Sequence, residues 1–489
     1  MMKVEQVHGP KDKTLQVYEL ESLLQCDSPD VFFQHGFSRD GRIIVTCAPS
    51  RLDIMGGIAD YSGSIVFEKT LNRAAVAAIQ ARHDRNLNAL TLQEDNILKR
   101  NYQMSLDDFY TDGALKSYEQ VRKLFNREAR TDWTGYVLGC FFALLKEKKI
   151  DTFPHGAVLV IKSDIPMGAG IASSAAIEVA TLTAINYKYQ LKLDAMEISR
   201  LAQIVENRIV GAPCGIMDQI TVAAGKRNKI LSILCQPDQI LEHVQCPPNT
   251  SIIGISTKVP RSTKSTAYID TRTAAFMGLS ILKKELGWEK LEDNYLCKIS
   301  VDEFREYCEP ILPKKIKGSE FLDKYGETVD TVTHVDPEKT YLVKDRVQHP
   351  IYENERVKLF INCIKNAEQF PDRTTEFLKV AGALMYESNA SYRDLAGLGS
   401  PEIDGLVNIA QKIGEQGGIY GAKITGGGEG GTVALLCYGD YSTALTQLLH
   451  AYRLAWGIRT ETLSGSSPGA FEFGHIVWEL EEAEPLTYF

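Results

Sequence analysis

The stretch from residue 157 to residue 190 constrains the fold more than any other part of the chain. Ala157-Val-Leu-Val-Ile161 is a short apolar run that predicts a buried strand. It leads into Asp164-Ile-Pro-Met-Gly-Ala-Gly170, where proline and glycine end the strand, and then into a small-residue segment that turns helical from about Ser173 to Gln190. Glycines let the backbone approach a ligand closely. The first N–H groups of the helix have no partner within it and point at that ligand, with about half a positive charge from the aligned peptide dipoles. Gly168, Ala169, Gly170, Ser173 and Ser174 are therefore candidate phosphate contacts, and a hydroxyl at the helix start can reach a metal carried on the phosphates. The same small residues also suit a tight turn with close helix packing, and on this stretch alone both readings stand. Two nucleotide loops are excluded. No Gly-Lys-Ser/Thr follows the glycines, and Ser173 stands in mid-chain where a dinucleotide fingerprint needs its third glycine.

Three further clusters carry chemistry. Glu206 is followed by Gly211-Ala-Pro-Cys-Gly-Ile-Met-Asp-Gln219, in which proline and glycine make a rigid approach to Asp218; an acid after a turn also serves as a helix N-cap. Ala48-Pro-Ser-Arg-Leu-Asp-Ile-Met-Gly-Gly-Ile-Ala-Asp-Tyr-Ser-Gly63 packs one cation and two acids into a glycine-containing loop, which reads equally as a solvated turn with a local ion pair. Thr425-Gly-Gly-Gly428 precedes a strand and by itself is no more than a flexible turn.

Elsewhere strands and helices mix, which predicts an α+β fold. A strand begins at Gly41, helices are expected from about Ala195 to Ile209, 373–390 and 401–416, and a strand hairpin is expected from Ala223 to Leu234 with turns at Gly225 and Asn228. Residues 1–40 read as an N-terminal arm or small cap, 41–245 as a first domain and 246–489 as a second, with an ordered, helix-containing insert around 291–350. Lys and Arg number 54 against 63 Asp and Glu, a net charge of −9, so the chain lacks the basic field that nucleic acid or an anionic membrane would require. The ten cysteines form no CxxC pair and no zinc-ligand spacing, the N-terminus has no signal-peptide core, and no apolar run reaches ~18 residues. These features predict a cytoplasmic protein with reduced thiols.

Taken together and in order, the clusters resemble the three motifs of the GHMP small-molecule kinases, and within them the galactokinase branch. Pro-x-Gly-x-Gly-x-x-Ser-Ser-Ala-Ala stands at 166–176, Gly-x-Pro-Cys-Gly-Ile-Met-Asp-Gln at 211–219 and Gly-Ala-x-x-Thr-Gly-Gly-Gly at 421–428. The resemblance spans about residues 42 to 475 and implies two lobes, with ATP and a free monosaccharide bound in the cleft between them. It implies that Asp218 takes the proton from the anomeric hydroxyl and that Arg51 holds that carboxylate ionised and neutralises charge in the transition state. It further implies Ser174 and Glu206 as ligands of a magnesium ion, Gly427 among the nucleotide contacts, and Gly57, Asp60, Gly215 and Tyr268 beside the sugar, with Arg51 and Asp218.

One departure bears on the substrate. Galactokinases carry Gly-Glu-His-Thr-Asp-Tyr in the first motif, where the Glu and His contact the 6-hydroxymethyl of the sugar and the Asp grips ring hydroxyls. This chain has Gly56-Gly57-Ile58-Ala59-Asp60-Tyr61. L-Arabinopyranose has the ring stereochemistry of galactose and lacks that group. The loop, together with His349-Pro-Ile-Tyr-Glu-Asn354 and Gly465-Ser-Ser-Pro-Gly469, resembles the kinase portion of plant-type L-arabinokinases. The implied activity is ATP-dependent phosphorylation of L-arabinose at carbon 1. The alternatives are a galactokinase with an altered pocket, a galacturonate kinase (for which the loop offers no cation), or a sugar and ATP sensor without catalysis. Glu429, after the third glycine of the last motif, has no role in this reading.

Overall fold

The computed structural model describes residues 2–10, 13–25, 36–38, 41–92, 101–126, 133–260 and 264–482. Its larger sheet has nine strands, in the order Met2–His8, His475–Glu482, Arg42–Met55, Ile65–Ala81, Ala157–Ser163, Asn86–Thr91 and Asn101–Ser105, with Lys229–Cys235 and Asp238–Gln245 off this path. The strand Ile65–Ala81 serves two partners along one edge: residues 65–69 pair with Lys229–Cys235, and residues 75–81 pair with Ala157–Ser163. The sheet therefore splits near Thr70. Opposite the split, the register of Arg42–Met55 slips between Pro49 and Arg51. Such a bulge bends a strand and re-aims its side chains, and here the re-aimed residue is Arg51. The amide of Arg51 donates to Ile171 O (3.1 Å), which docks the glycine turn into the gap.

Helices Thr134–Lys146, Ser173–Tyr189, Ala195–Ile204 and Met217–Ala224 cover one face of this sheet, and the main core lies between them. On the other face, Val17 and Leu20 of the helix Leu15–Gln25 pack with Ile43, Val45, Val76, Val158 and the buried Trp478. A second sheet of four antiparallel strands runs Ile419–Ile424, Thr432–Tyr438, Thr250–Ser256, Glu461–Leu463. It packs against helices Thr266–Leu286, Pro401–Ile413 and Ser442–Trp456 around a second core. The fold is α+β, as expected.

Several local expectations need correction. The first motif is not a loop: Arg42–Met55 is strand throughout, and residues Gly57–Ser62 form a 3₁₀ turn. Met217–Ala224 is helix, and the hairpin pairs Lys229–Cys235 with Asp238–Gln245. The turn signals at Gly225 and Asn228 end that helix and lead into the strand, with Asn228 at φ 61°. The helix from Ala195 remains α-helical only to Ile204 and continues as a wider π turn, Val205–Val210, which carries Glu206. In the 291–350 region, short helical turns, the helix Gly318–Tyr325 and a two-residue ladder lead into the long helix Val343–Gln369. The two chain ends cross the expected division. His475–Glu482, assigned to the second domain by sequence, lies in the first sheet between Arg42–Met55 and Met2–His8, so the N-terminal arm is in part an edge strand of that sheet. No helix among the described residues is long and apolar enough to cross a membrane.

Candidate active site

Arg51 is fully buried at the bulge and meets two of the sequence motifs at once. Its Nε and Nη2 both donate to Asp218 Oδ1 (2.8 and 2.6 Å), and its Nη1 donates to Gly170 O (2.8 Å). Asp53, two residues along the strand, accepts from Lys423 Nζ (3.0 Å), from Gly426 N–H (2.9 Å) and from Gly57 N–H (3.1 Å). Arg51, Asp53 and Lys423 are all buried, so the first motif is no solvated turn. Burial opposes ionisation of Asp53, but Lys423, Arg51 and the Gly426 N–H outweigh it and hold this carboxyl below the usual carboxylate range. Glu68 lies across from them, 3.4 Å from Arg51 Nε. Burial, reinforced by Asp53, pushes the Glu68 carboxyl well above the usual range, against the pull of Arg51. Two cations, Arg51 and Lys423, thus face Asp53 and Asp218, with Glu68 shifted toward its neutral form.

Asp218 stands in the first turn of the helix Met217–Ala224. It does not cap that helix: Ile216 holds the N-cap position, and the Asp218 side chain turns to Arg51 instead. Both contacts with Arg51 fall on Oδ1, leaving Oδ2 without a hydrogen-bond partner among the described residues, on a side chain that is 18% exposed. An acid fixed by one oxygen and open at the other is placed to accept a proton.

Asp60 is buried in the 3₁₀ turn and accepts from Tyr61 N–H (2.7 Å). Burial, with Asp218 nearby, pushes its carboxyl up to about 7, against the pull of Arg272. Gly215 makes room for it, since a Cβ there would lie 1.8 Å from Asp60 Oδ2. Tyr268, also buried, meets the Tyr61 ring edge-on at 6.4 Å. One helical turn further, Arg272 grips Asp330 with two bonds (2.8 and 2.9 Å), donates to Pro213 O and Cys214 O (3.3 and 3.1 Å), and lies over the Tyr61 ring. The motifs mark neither Arg272 nor Asp330. The spacing of Arg272 from Tyr268, which puts both on one helix face, is a usable signal, whereas Asp330 comes from the 291–350 region, where no pattern singles it out.

Gly168 and Gly170 both have positive φ (70° and 74°), as does Ala172 (63°), and they carry the chain from Pro166 into the helix Ser173–Tyr189. No side chain caps that helix, so its first amides face the loop. The third motif packs against this loop. Thr432 Oγ1 donates to Ala169 O (2.8 Å), and a Cβ on Gly426 or Gly431 would come within 3.1 or 2.8 Å of the carbonyls of Gly170 and Ala169. Gly427 lies buried between those two glycines. Ser174 Oγ donates to Glu206 Oε1 (2.9 Å), and Gln219 Nε2 donates to Oε2 (2.9 Å). Ser173, half-buried, precedes Ser174 at the helix start. Glu178, one turn after Ser174, is another acid that burial and the neighbouring Glu206 push well above the usual range. Among the described residues no three His, Cys, Asp or Glu side chains converge as a metal site, so Ser174 and Glu206 offer a cation only part of a coordination shell. Glu429, for which sequence gave no role, accepts a hydrogen bond from Ser265 Oγ, and Ser265 caps the helix that carries Tyr268 (Tyr268 N–H to Ser265 Oγ, 3.2 Å). It ties the third motif to the helix Thr266–Leu286.

The chain is similar to known proteins in sequence and in fold. The family description "GHMP kinases N terminal domain" matches residues 135–226, and "GHMP kinases C terminal" matches residues 375–456. An L-arabinokinase of Arabidopsis thaliana is 34% identical over 496 residues, which cover 90% of this chain and 47% of the plant protein, so the chain spans about half the length of that relative. The crystal structure of Lactococcus lactis galactokinase complexed with galactose superposes with a TM-score of 0.71 at 20% identity, over 93% of this chain and 100% of that one. Methanococcus jannaschii mevalonate kinase does so with a TM-score of 0.51 at 15% identity, over 86% and 98%. Both likenesses are likenesses of fold. Both domain descriptions are matched in order, and Arg51 bonds to the glycine turn and to Asp218 within the first of them: the chain carries the N-terminal and C-terminal domains of the GHMP kinases.

Proposed function

We propose that this protein is an ATP-dependent sugar 1-kinase whose acceptor is L-arabinose. The observation that carries the kinase reading is Asp218, clamped through Oδ1 by Arg51 and open at Oδ2, beside a glycine turn with an uncapped helix start. In this reading Asp218 accepts the proton of the anomeric hydroxyl as that oxygen attacks the γ-phosphorus. Arg51 balances the charge that develops, and the amides around Gly168–Ser174 bind the nucleotide phosphates. The hydroxyl of Ser174 and the carboxylate of Glu206 are hard oxygen donors of the kind magnesium takes. They would hold a magnesium ion, which when bound neutralises phosphate oxygens. A sensor without catalysis has no use for this retained set of groups. Free cysteines throughout the described residues suit a reducing cytoplasm.

The pentose reading rests on the first motif. Asp60 and Tyr268 line the side that meets ring hydroxyls, while residue 57 has no side chain and Ile58 is buried in an apolar cluster. A 6-hydroxymethyl would lose water there and gain no partner, at a cost of ~1–3 kcal/mol. The 34% identity to a plant L-arabinokinase supports the same acceptor.

ADP release across a panel of free sugars tests the proposal. A pocket that lacks partners discriminates mainly by shape, so L-arabinose is expected to exceed D-galactose in kcat/KM by roughly 10–200-fold, as for one methylene. A preference for galactose contradicts the pentose reading, and no ADP release with any sugar contradicts the kinase reading. Asp218→Asn is expected to lower turnover by roughly 10²–10⁴-fold with nucleotide affinity unchanged; turnover within ~3-fold of wild type would remove Asp218 from its role. Asp60, whose carboxyl burial pushes up to about 7, accepts hydrogen bonds from sugar hydroxyls most strongly, and with both oxygens, when it is deprotonated. As pH falls through about 7, kcat/KM for the sugar should therefore fall, and Asp60→Asn should abolish that limb of the profile. A wild-type profile flat from about pH 6 to 8 would contradict it.

A further inference from the structure

The sugar loop of this chain is held by groups that the sequence motifs leave out. Residues 56–58 present three consecutive backbone N–H groups, and each is used inside the protein. Gly56 N–H donates to Glu353 Oε1 (3.3 Å), Gly57 N–H to Asp53 Oδ1 (3.1 Å) and Ile58 N–H to Tyr392 Oη (2.8 Å). The Tyr392 hydroxyl donates onward to Gly426 O (2.9 Å), so it joins the sugar loop to the loop that packs on the phosphate turn. Its ring is wholly buried, with His349 edge-on at 5.0 Å and the Lys423 ammonium 5.2 Å from the centroid. A Cβ built on Gly57 would lie 1.6 Å from this hydroxyl oxygen, and Gly57 itself sits at φ 48°. The space that a side chain at position 57 would enter is therefore already filled by Tyr392.

We infer that Tyr392 is the positioning residue that sets the sugar preference, by filling the space beside Gly57 and consuming the Ile58 amide, so that the loop offers no polar partner to a substituent on carbon 5 of the sugar. This inference rests on the sugar-kinase reading of the same site and adds a determinant outside the three motifs. It also gives a role to the segment from His349 to Asn354. Glu353 takes the Gly56 amide, Asn354 Oδ1 accepts from Ile65 N–H (2.9 Å) at the far end of the loop, and His349 packs on Tyr392. The loop is clamped from behind by the helix Val343–Gln369. It follows that placing Glu at position 57 alone cannot convert the site, because Tyr392 must move first.

Tyr392→Phe tests this, since it keeps the ring and removes only the oxygen. The freed Ile58 N–H and the vacated space give a 6-hydroxyl a partner it lacks in the wild type. The expected result is an L-arabinose KM raised roughly 10-fold, the equivalent of one buried hydrogen bond, with kcat and nucleotide affinity little changed. The ratio of kcat/KM for L-arabinose over D-galactose should fall by ~3-fold or more. A role in stability alone would lower both sugars and nucleotide binding together and leave the ratio unchanged, and that result overturns the inference. Gly57→Ala supplies an independent arm. It should lose roughly 100-fold or more in kcat/KM in the wild-type background and distinctly less in the Tyr392→Phe background, where the nearest remaining ring atom is 2.8 Å from the new Cβ. Equal losses in the two backgrounds, or a Gly57→Ala enzyme as active as wild type, would show that the hydroxyl does not fill that space. Failure of the parent reading is separable, because the wild-type enzyme would then phosphorylate neither sugar.

Discussion

The contact between Arg51 and Asp218 is the interaction on which the rest of the site depends. Arg51 is placed by a strand bulge, Asp218 by the start of a helix more than 160 residues later (a separation of 167), and the same guanidinium reaches the carbonyl of Gly170 in the phosphate turn. One side chain thus fixes Asp218, the proposed base, and the glycine turn, the proposed nucleotide loop, relative to each other. Burying so much charge is tolerable because the cluster balances internally. Asp53 answers Lys423, and burial pushes the Glu68 carboxyl up, toward its neutral form. Removing one member of a fully buried pair such as Lys423 and Asp53 typically costs about 3–5 kcal/mol, because the survivor is left charged and unpaired. That coupling joins strand Arg42–Met55 of the first sheet to strand Ile419–Ile424 of the second, and Gly426 of the loop that follows adds its N–H to the same carboxylate, so the geometry of the site is part of the folded core rather than an addition to it.

Much of the site was legible where its signals are local. The run from Ala157 to Gln190 has a strand composition, a glycine turn and a helix start in immediate succession, and each of those signals is carried by neighbours in sequence. The paired elements appear with bounds close to those expected. The third motif, weak on its own, gained meaning from its partners, and it packs against the phosphate turn as a pair of close backbone contacts that only glycine permits. The fold class followed from the same mixture of periodicities.

What escaped is long-range or depends on backbone detail. Gly56 and Gly57 drew the eye to a loop and hid the fact that strand pairing runs through Met55, which is what buries Arg51 and Asp53. Gly225 and Asn228 are turn residues, but they separate a helix from a strand rather than two strands, and Asp218 lies inside that helix. Arg272 bonds to Asp330 across 58 residues, and Tyr392 bonds to Ile58 across 334, distances over which periodicity says nothing. The segment around 291–350 looked like an insert because it lacks a period, yet it supplies the carboxylate that orients Arg272 over Tyr61 in the turn Gly57–Ser62.

These contacts give the two halves of the cleft different characters. In the proposed reading the phosphate side offers an uncapped helix start, a hydroxyl and a carboxylate, while the sugar side keeps the amides of residues 56–58 engaged inside the protein. Such a division suits a nucleotide held by charge and a sugar selected by what it lacks. The central claim is that the open oxygen of Asp218 deprotonates the anomeric hydroxyl. The position of the phosphate on the product, read from phosphorus–proton coupling in the NMR spectrum, tests it most directly. The account predicts a single phosphate coupled to the proton on carbon 1, with anomeric configuration retained. A phosphate on any other hydroxyl of the sugar would contradict it.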